Sequence, residues 1–225
     1  MTDFSQLIVW DREEIDAEVK KFYGLITKTF GATNPERVEA LRHMYKDLDA
    51  RLRSAPASSQ VHFHYAAPGG YIFHVMHVVE AAQKIAALYA ELGGVVDATM
   101  EEIIFAAMHH DLGKLGDEDG PAYLKETDNY WIKKGYTHKY NDEVQALSYD
   151  DRTTYLLNKY GVKYTKKEML GMKMADGLFK EANKDYFMAK GIFPNKTSIG
   201  YIIHWADWMS ANAEKEQQRV LCEGA

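Results

Sequence analysis

The sequence predicts an all-α chain, a compact helical fold interrupted by one irregular, aromatic-rich insertion. Three observations predict it: apolar residues recur every three or four positions over several long segments, capping residues stand where those segments begin, and strict alternation is sustained nowhere. Its 225 residues show no sharp change in composition. They fit a single domain over 1–225, with a core at 60–215 and N-terminal helices at 11–54 packed on it.

Between Asp11 and Phe30, the residues Ile15, Val19, Phe22, Ile26 and Phe30 mark one helical face, which Gly31 can end. Asn34 followed by Pro35 is a helix start, because a capping side chain precedes a residue whose missing N–H would go unused in the first turn. Val38, Leu41, Tyr45, Leu48 and Leu52 carry that second helix on without a break. The stretch PASSQVHFHYAAPGG, residues 56–70, has no period and ends in paired glycines, so it reads as a connection closing in a sharp turn. A long third helix is predicted from Tyr71 to Glu91, with Val75, Val78, Ala82, Ile85 and Tyr89 on one stripe and Gly93 and Gly94 behind it.

Thr99 and Glu102 have the form of a capping box, and Ile103, Ile104 and Ala107 lead into His109, His110 and Asp111 before Gly113 breaks the helix. Residues 117–149 are polar and aromatic with no lasting period, the mark of a loop or small hairpin over the core. Helices resume over 149–160, at Thr165 with Glu168 as a second capping box, and over 197–220, where Ile199, Ile203, Ala206 and Met209 recur.

With 46% hydrophobic and 27% charged residues the chain can bury a core without staples. A formal charge of -6 counts against coating a nucleic-acid backbone, which depends on Lys and Arg neutralising phosphates, so no stable nucleic-acid partner is expected. A small anionic substrate remains compatible. The single cysteine, Cys222, excludes an internal disulfide and favours a reducing compartment. The start, MTDFSQLIVWDREE, lacks the basic and long apolar regions of a signal peptide, and no segment reaches the roughly 18 apolar residues of a spanning helix. A cytoplasmic protein without a membrane partner is expected, and a homo-oligomer is compatible with the sequence.

Chemistry concentrates first at His110-Asp111, at the end of an apolar helix and followed by Leu112, Gly113 and Lys114. A buried imidazole beside a buried carboxylate needs compensation, and a shared cation supplies it; the alternative is a capping pair at a helix end. His74 lies within an apolar face, and Asp207 lies in an apolar helix between Ala206 and Trp208. An ionised Asp in such surroundings calls for a metal or a cationic partner, whereas a lone core His can simply be hydrogen-bonded.

In order and flanks this pattern resembles the HD-domain phosphohydrolase superfamily: a His on one helix, a His-Asp pair on the next, and a distant Asp on a late helix. PGGYIFHVMHVV looks like its glycine turn and first ligand helix, AAMHHDLGK like its His-Asp helix end, and IIHWADWMSA like its final aspartate helix. The resemblance implies that His74, His110, Asp111 and Asp207 hold one divalent ion. Two imidazole nitrogens and two carboxylate oxygens suit Mn, Fe, Co, Ni or Zn, with Mg also compatible, and leave positions for water and a substrate oxygen.

Lys114 can place a cation beside a substrate phosphate, as the family's form implies, or simply sit at a helix C-terminus favoured by the dipole. His77, three residues after His74, is near enough in helical phase to support the ion or carry a proton. At about 100° per residue His109 lies far round the helix from Asp111 and is expected to be structural, and His204 to serve packing or a hydrogen bond. His62 and His64 lie on the loop before the glycine turn, with no spacing argument.

Where similar proteins carry a His-Asp-Gly triplet for a second ion, this chain reads Ala175-Asp176-Gly177, which favours a single ion and counts against di-iron oxygenase chemistry. Asp176 is then a candidate base. Arg152 and Lys173 are candidates for phosphate contact, against surface solvation as the plainer role. Tyr123, Tyr130, Trp131, Tyr136 and Tyr140 either stack a base or cover a core. The expectation is a phosphohydrolase of a nucleoside monophosphate or deoxynucleoside triphosphate, the substrate class being what the resemblance implies. A 3′–5′ nuclease and a non-catalytic nucleotide sensor are the alternatives.

Overall fold

In the computed structural model, residues 7–188 and 196–223 are described. Residues 1–6, the start of MTDFSQLIVWDREE, residues 189–195 and residues 224–225 lie outside them.

Helix α1, Arg12–Phe30, begins where the sequence places it. Asp11 accepts the Glu14 N–H at 2.9 Å while Glu14 accepts the Asp11 N–H at 2.8 Å, so two end groups are satisfied reciprocally. Val19, Phe22, Ile26 and Phe30 are buried. Asn34 caps α2, Pro35–Asp47, but the helix predicted to run on to Leu52 is interrupted at Leu48, which has ψ near 3°, and resumes as α3, Asp49–Ser54. The apolar stripe survives the break, since Leu41, Tyr45, Leu48 and Leu52 are all buried.

The connection that follows closes in the glycine pair. Gly69 takes φ of +83°, and a Cβ on Gly70 would stand 2.0 Å from the Tyr65 carbonyl oxygen, so only glycine admits this approach. Helix α4, Gly70–Glu91, starts there, and α5, Met100–His109, starts at Thr99, whose capping box with Glu102 is formed. Helix α5 gives way at His110 to a 3-10 turn, Leu112–Leu115. At Gly113 the N–H donates to Thr153 Oγ1 at 2.9 Å, and a Cβ would lie 2.2 Å from the Tyr149 carbonyl oxygen.

The aromatic insertion contains a small antiparallel pair, β1 (Tyr123–Lys125) and β2 (His138–Tyr140), with Tyr123 opposite Tyr140 and Lys125 opposite His138; between them lies α6, Asn129–Lys133. Tyr123 and Tyr140 stack at 5.3 Å between ring centroids, and the Tyr123 and Tyr149 hydroxyls are 2.7 Å apart. Ser148 caps α7, Tyr149–Lys159, and Thr165 with Glu168 caps α8, Lys166–Met174. The sequence does not announce the two 3-10 turns, Gly177–Phe179 and Glu181–Asn183, or α9, Lys184–Met188. Helix α10, Ile199–Glu223, completes a mainly helical chain. Among the described residues no helix is long and apolar enough to cross a membrane.

The chain forms two compact units. The first comprises Met1–His74, Leu112–Val162 and Ala211–Ala225. Its core gathers Phe22, Ile26 and Phe30 with Leu41, Met44, Tyr45 and Leu52, and Trp10 stacks on Phe73 at 4.3 Å. The second comprises Val75–Asp111 and Lys163–Ser210. Its core is built from Ile103, Phe105 and Met108 of α5, Met172 and Met174 of α8, and Ile199, Ile202 and Ile203 of α10.

Candidate metal centre

In the second unit, α5 ends in His110 and Asp111, and α10 presents Asp207. The His110 side chain is 1% exposed, Asp111 10% and Asp207 20%. His110 Nδ1 lies 2.8 Å from the Ala107 carbonyl, which can only accept, so Nδ1 carries the proton in that bond and Nε2 is turned to the carboxylates. Nε2 stands 3.4 Å from Asp111 Oδ2 and 3.6 Å from Asp207 Oδ1. These separations exceed good hydrogen bonds. Two ligands about 2.0–2.2 Å from one shared ion stand about 3.0–3.6 Å apart at tetrahedral to octahedral angles, so each carboxylate oxygen is at a distance at which it could share an ion with Nε2. An imidazole nitrogen with carboxylate oxygens beside it is a donor chemistry that suits a first-row divalent ion.

Burial by itself would push the His110 pKa down, yet the Asp111 and Asp207 carboxylates outweigh it and hold the imidazole well above its ordinary value. Positive charge is thus strongly favoured at this point of the second unit. The neighbouring His109 is buried, with its Nδ1 bonded to the Phe105 carbonyl at 2.7 Å and its ring 4.2 Å from the Phe105 ring. His204 likewise bonds the Ala175 carbonyl at 2.8 Å and meets Phe187 edge-on.

In the first unit, His74 is fully buried and its Nδ1 donates to Glu214 Oε2 at 2.9 Å, with Glu214 only 1% exposed. His64 packs on the His74 ring at 4.5 Å, so His64, His74 and Glu214 form a cluster of candidate metal donors. A carboxylate holding one imidazole nitrogen fixes the tautomer and strengthens the other nitrogen as a ligand. Glu214 was not anticipated. The signal for it is spacing: it follows Asp207 by seven residues on one helix, two turns on and nearly in phase.

Lys114 is half-buried, and its Nζ donates to the Ala57 carbonyl at 2.9 Å and lies 5.8 Å from the Tyr149 ring centre. Arg152 is buried: its Nε donates to Asp117 Oδ2 at 2.8 Å and its Nη2 to the Gln145 carbonyl at 2.6 Å, so the guanidinium is already engaged inside the first unit. His77 is half-buried on α4, Lys173 is half-buried in the last turn of α8, and Asp176 is exposed beside the following 3-10 turn. Comparison with protein-family models, curated proteins and solved structures finds no match. The chemistry of the site therefore rests on its own residues.

Proposed function

We propose that the protein is a metal-dependent phosphohydrolase acting on a nucleotide, either a nucleoside monophosphate or a deoxynucleoside triphosphate. The observation that carries this reading is the His110 imidazole facing the Asp111 and Asp207 carboxylates at separations suited to a shared cation. In this reading one divalent ion, Mn, Co, Ni, Fe or Zn with Mg compatible, is held by these three residues, and the resemblance alone adds His74 as the remaining member of the sequence signature. Such an ion, when bound, supplies Lewis acidity for a phosphoryl oxygen and acidifies water.

The other roles fall to the chain's own groups. The Ala107 carbonyl and the Glu214 carboxylate each fix one ring nitrogen, of His110 and His74 respectively, so that both imidazoles offer Nε2 without reorganisation. Lys114 supplies positive charge to the substrate phosphate, with Lys173 as a second candidate. Arg152 is the weaker candidate, because moving it would leave Asp117 buried without its partner. His77 and Asp176 are the candidates for proton transfer. The substrate class rests on the resemblance alone.

The test is phosphate and nucleoside release from a panel of ribo- and deoxynucleotides, with each metal restored to stripped protein, beside Asp111→Ala and Asp207→Ala. Metal-dependent release lost in both variants is the expected result. Nucleotide binding without release would replace the hydrolase by a sensor, and salt-sensitive cleavage of RNA by a nuclease.

A further inference from the structure

The aromatic insertion shapes an open pocket of about 340 Å³ in the first unit, large enough for a side-chain-sized ligand. Trp131 and Tyr136 form a corner there, with ring centroids 5.2 Å apart and planes at 74°. Tyr140 adds a third ring; Trp131 is 44% exposed and Tyr140 62%, far more than rings whose task is to fill a core.

Below these rings lie two buried polar side chains, Glu126 at 6% exposure and His138 at 8%. Glu126 Oε1 accepts the Thr127 N–H at 2.8 Å and the Asp128 N–H at 2.9 Å, which accounts for one oxygen; among the described residues Oε2 has no such bond. The tautomer of His138 follows from its neighbour. Thr137 Oγ1 has one proton, which goes to the Ala66 carbonyl at 2.7 Å, so His138 Nδ1 at 3.0 Å must donate to that oxygen and Nε2 is left as an acceptor. Asp128 contributes a further carboxylate at the rim, and Lys139 is the one cation among the lining residues. The cavity therefore offers acceptors, carries net negative charge, and is walled by ring faces.

We propose that this cavity binds a guanidinium group. A guanidinium is flat enough to stack on Trp131 or Tyr136, positive enough to satisfy the Glu126 carboxylate, and carries several N–H donors for Glu126 Oε2 and His138 Nε2 together. An alkylammonium lacks the plane, a neutral nucleobase lacks the charge, and a phosphate would be repelled by Glu126 and Asp128. The group arrives either on a free arginine-like molecule or on an arginine side chain of a polypeptide. The proposal stands apart from the metal centre.

Isothermal titration of the full chain with arginine amide and with a capped arginine-containing tetrapeptide tests it, with citrulline amide, lysine amide and guanosine as competitors. Arginine amide is expected to bind, citrulline amide to bind at least tenfold more weakly, and Glu126→Gln to weaken arginine at least tenfold, because Gln keeps the oxygen that caps the Thr127 and Asp128 amides and removes only charge. Trp131→Leu, on an exposed face, gives a second loss should Glu126→Gln fold poorly. Asp111→Ala leaves this binding unchanged. Equal affinity for amide and peptide identifies a free ligand, and tighter peptide binding a polypeptide. Binding of citrulline as tight as arginine, preference for guanosine, or no binding by either arginine compound overturns the proposal.

Discussion

Replacing Glu214 separates a supporting carboxylate from an incidental one. Its carboxylate is 1% exposed and lies 2.9 Å from the Nδ1 of a fully buried imidazole. Glu214→Ala removes a charge-assisted hydrogen bond and strands a buried donor, and breaking a buried pair in this way costs about 3–5 kcal/mol. Glu214→Gln returns a carbonyl oxygen to the same place, so its loss is limited to about 1–2 kcal/mol. If His74 is a metal ligand, both variants also weaken the ion about 10–100-fold, the usual effect of removing an outer carboxylate. Urea unfolding of metal-free protein measures the first quantity, and competition against a fluorescent chelator the second. A Glu214→Ala protein within about 1 kcal/mol of the parent would refute the buried-pair reasoning. Unchanged metal affinity in both variants would remove His74 from the ligand set while leaving the pair intact.

Two further perturbations address residues away from the centre. Arg152→Ala should destabilise by about 3–5 kcal/mol because it leaves Asp117 buried without its partner, and Arg152→Ala with Asp117→Ala should cost less than the two losses added; strict additivity in urea unfolding would show that the pair is not coupled. His138 sets a pH dependence: burial, then the Lys125 charge on the facing strand, lower its pKa to about 4. A folded-state pKa below the ordinary value near 6.5 means that the unfolded chain takes up the proton first, so stability falls as pH drops from about 6.5 to about 4, by at most about 3 kcal/mol. His138→Gln should remove that part of the slope, and an unchanged difference between the two proteins across this range would show that His138 titrates normally.

Elements with a long apolar stripe and a cap were legible, because both signals are local. Helices α1, α5 and α8 begin at the Asp11, Thr99 and Thr165 caps that the sequence marks. The break at Leu48 was not legible: the stripe runs through it, since Leu48 is itself buried, as are Tyr45 before it and Leu52 after it. Helices α6 and α9, five residues each, are too short to display a period. Strands β1 and β2, three residues each, are too short for alternation to separate from chance; their register is accompanied by the pairing of Tyr123 with Tyr140, residues distant in sequence.

The same division between local and distant information runs through the candidate centre. His110 and Asp111 are adjacent, and Asp207 stands out against tryptophans, so their chemistry is visible in short windows. Arg152 reads as a surface cation because its partner, Asp117, lies 35 residues earlier. Glu214 reads as one more solvated charge in AEKEQQR, and only the fold reveals a carboxylate buried against an imidazole.

The two imidazoles are fixed differently, with chemical consequences. The His110 Nδ1 bonds a neutral carbonyl and its Nε2 faces two carboxylates, whereas the His74 Nδ1 bonds a carboxylate. Around His110 the negative charge lies on the side where a ligand lone pair points, and burial opposes a charged ring, so the pull toward a cation comes from Asp111 and Asp207. Around His74 the charge of Glu214 lies behind the ring and acts through it, making Nε2 the better electron donor. In the proposed reading His110 sits between the carboxylates that would share the ion and His74 is held ready to donate to it, so loss of Asp207 should weaken metal binding by removing a ligand and loss of Glu214 by loosening one.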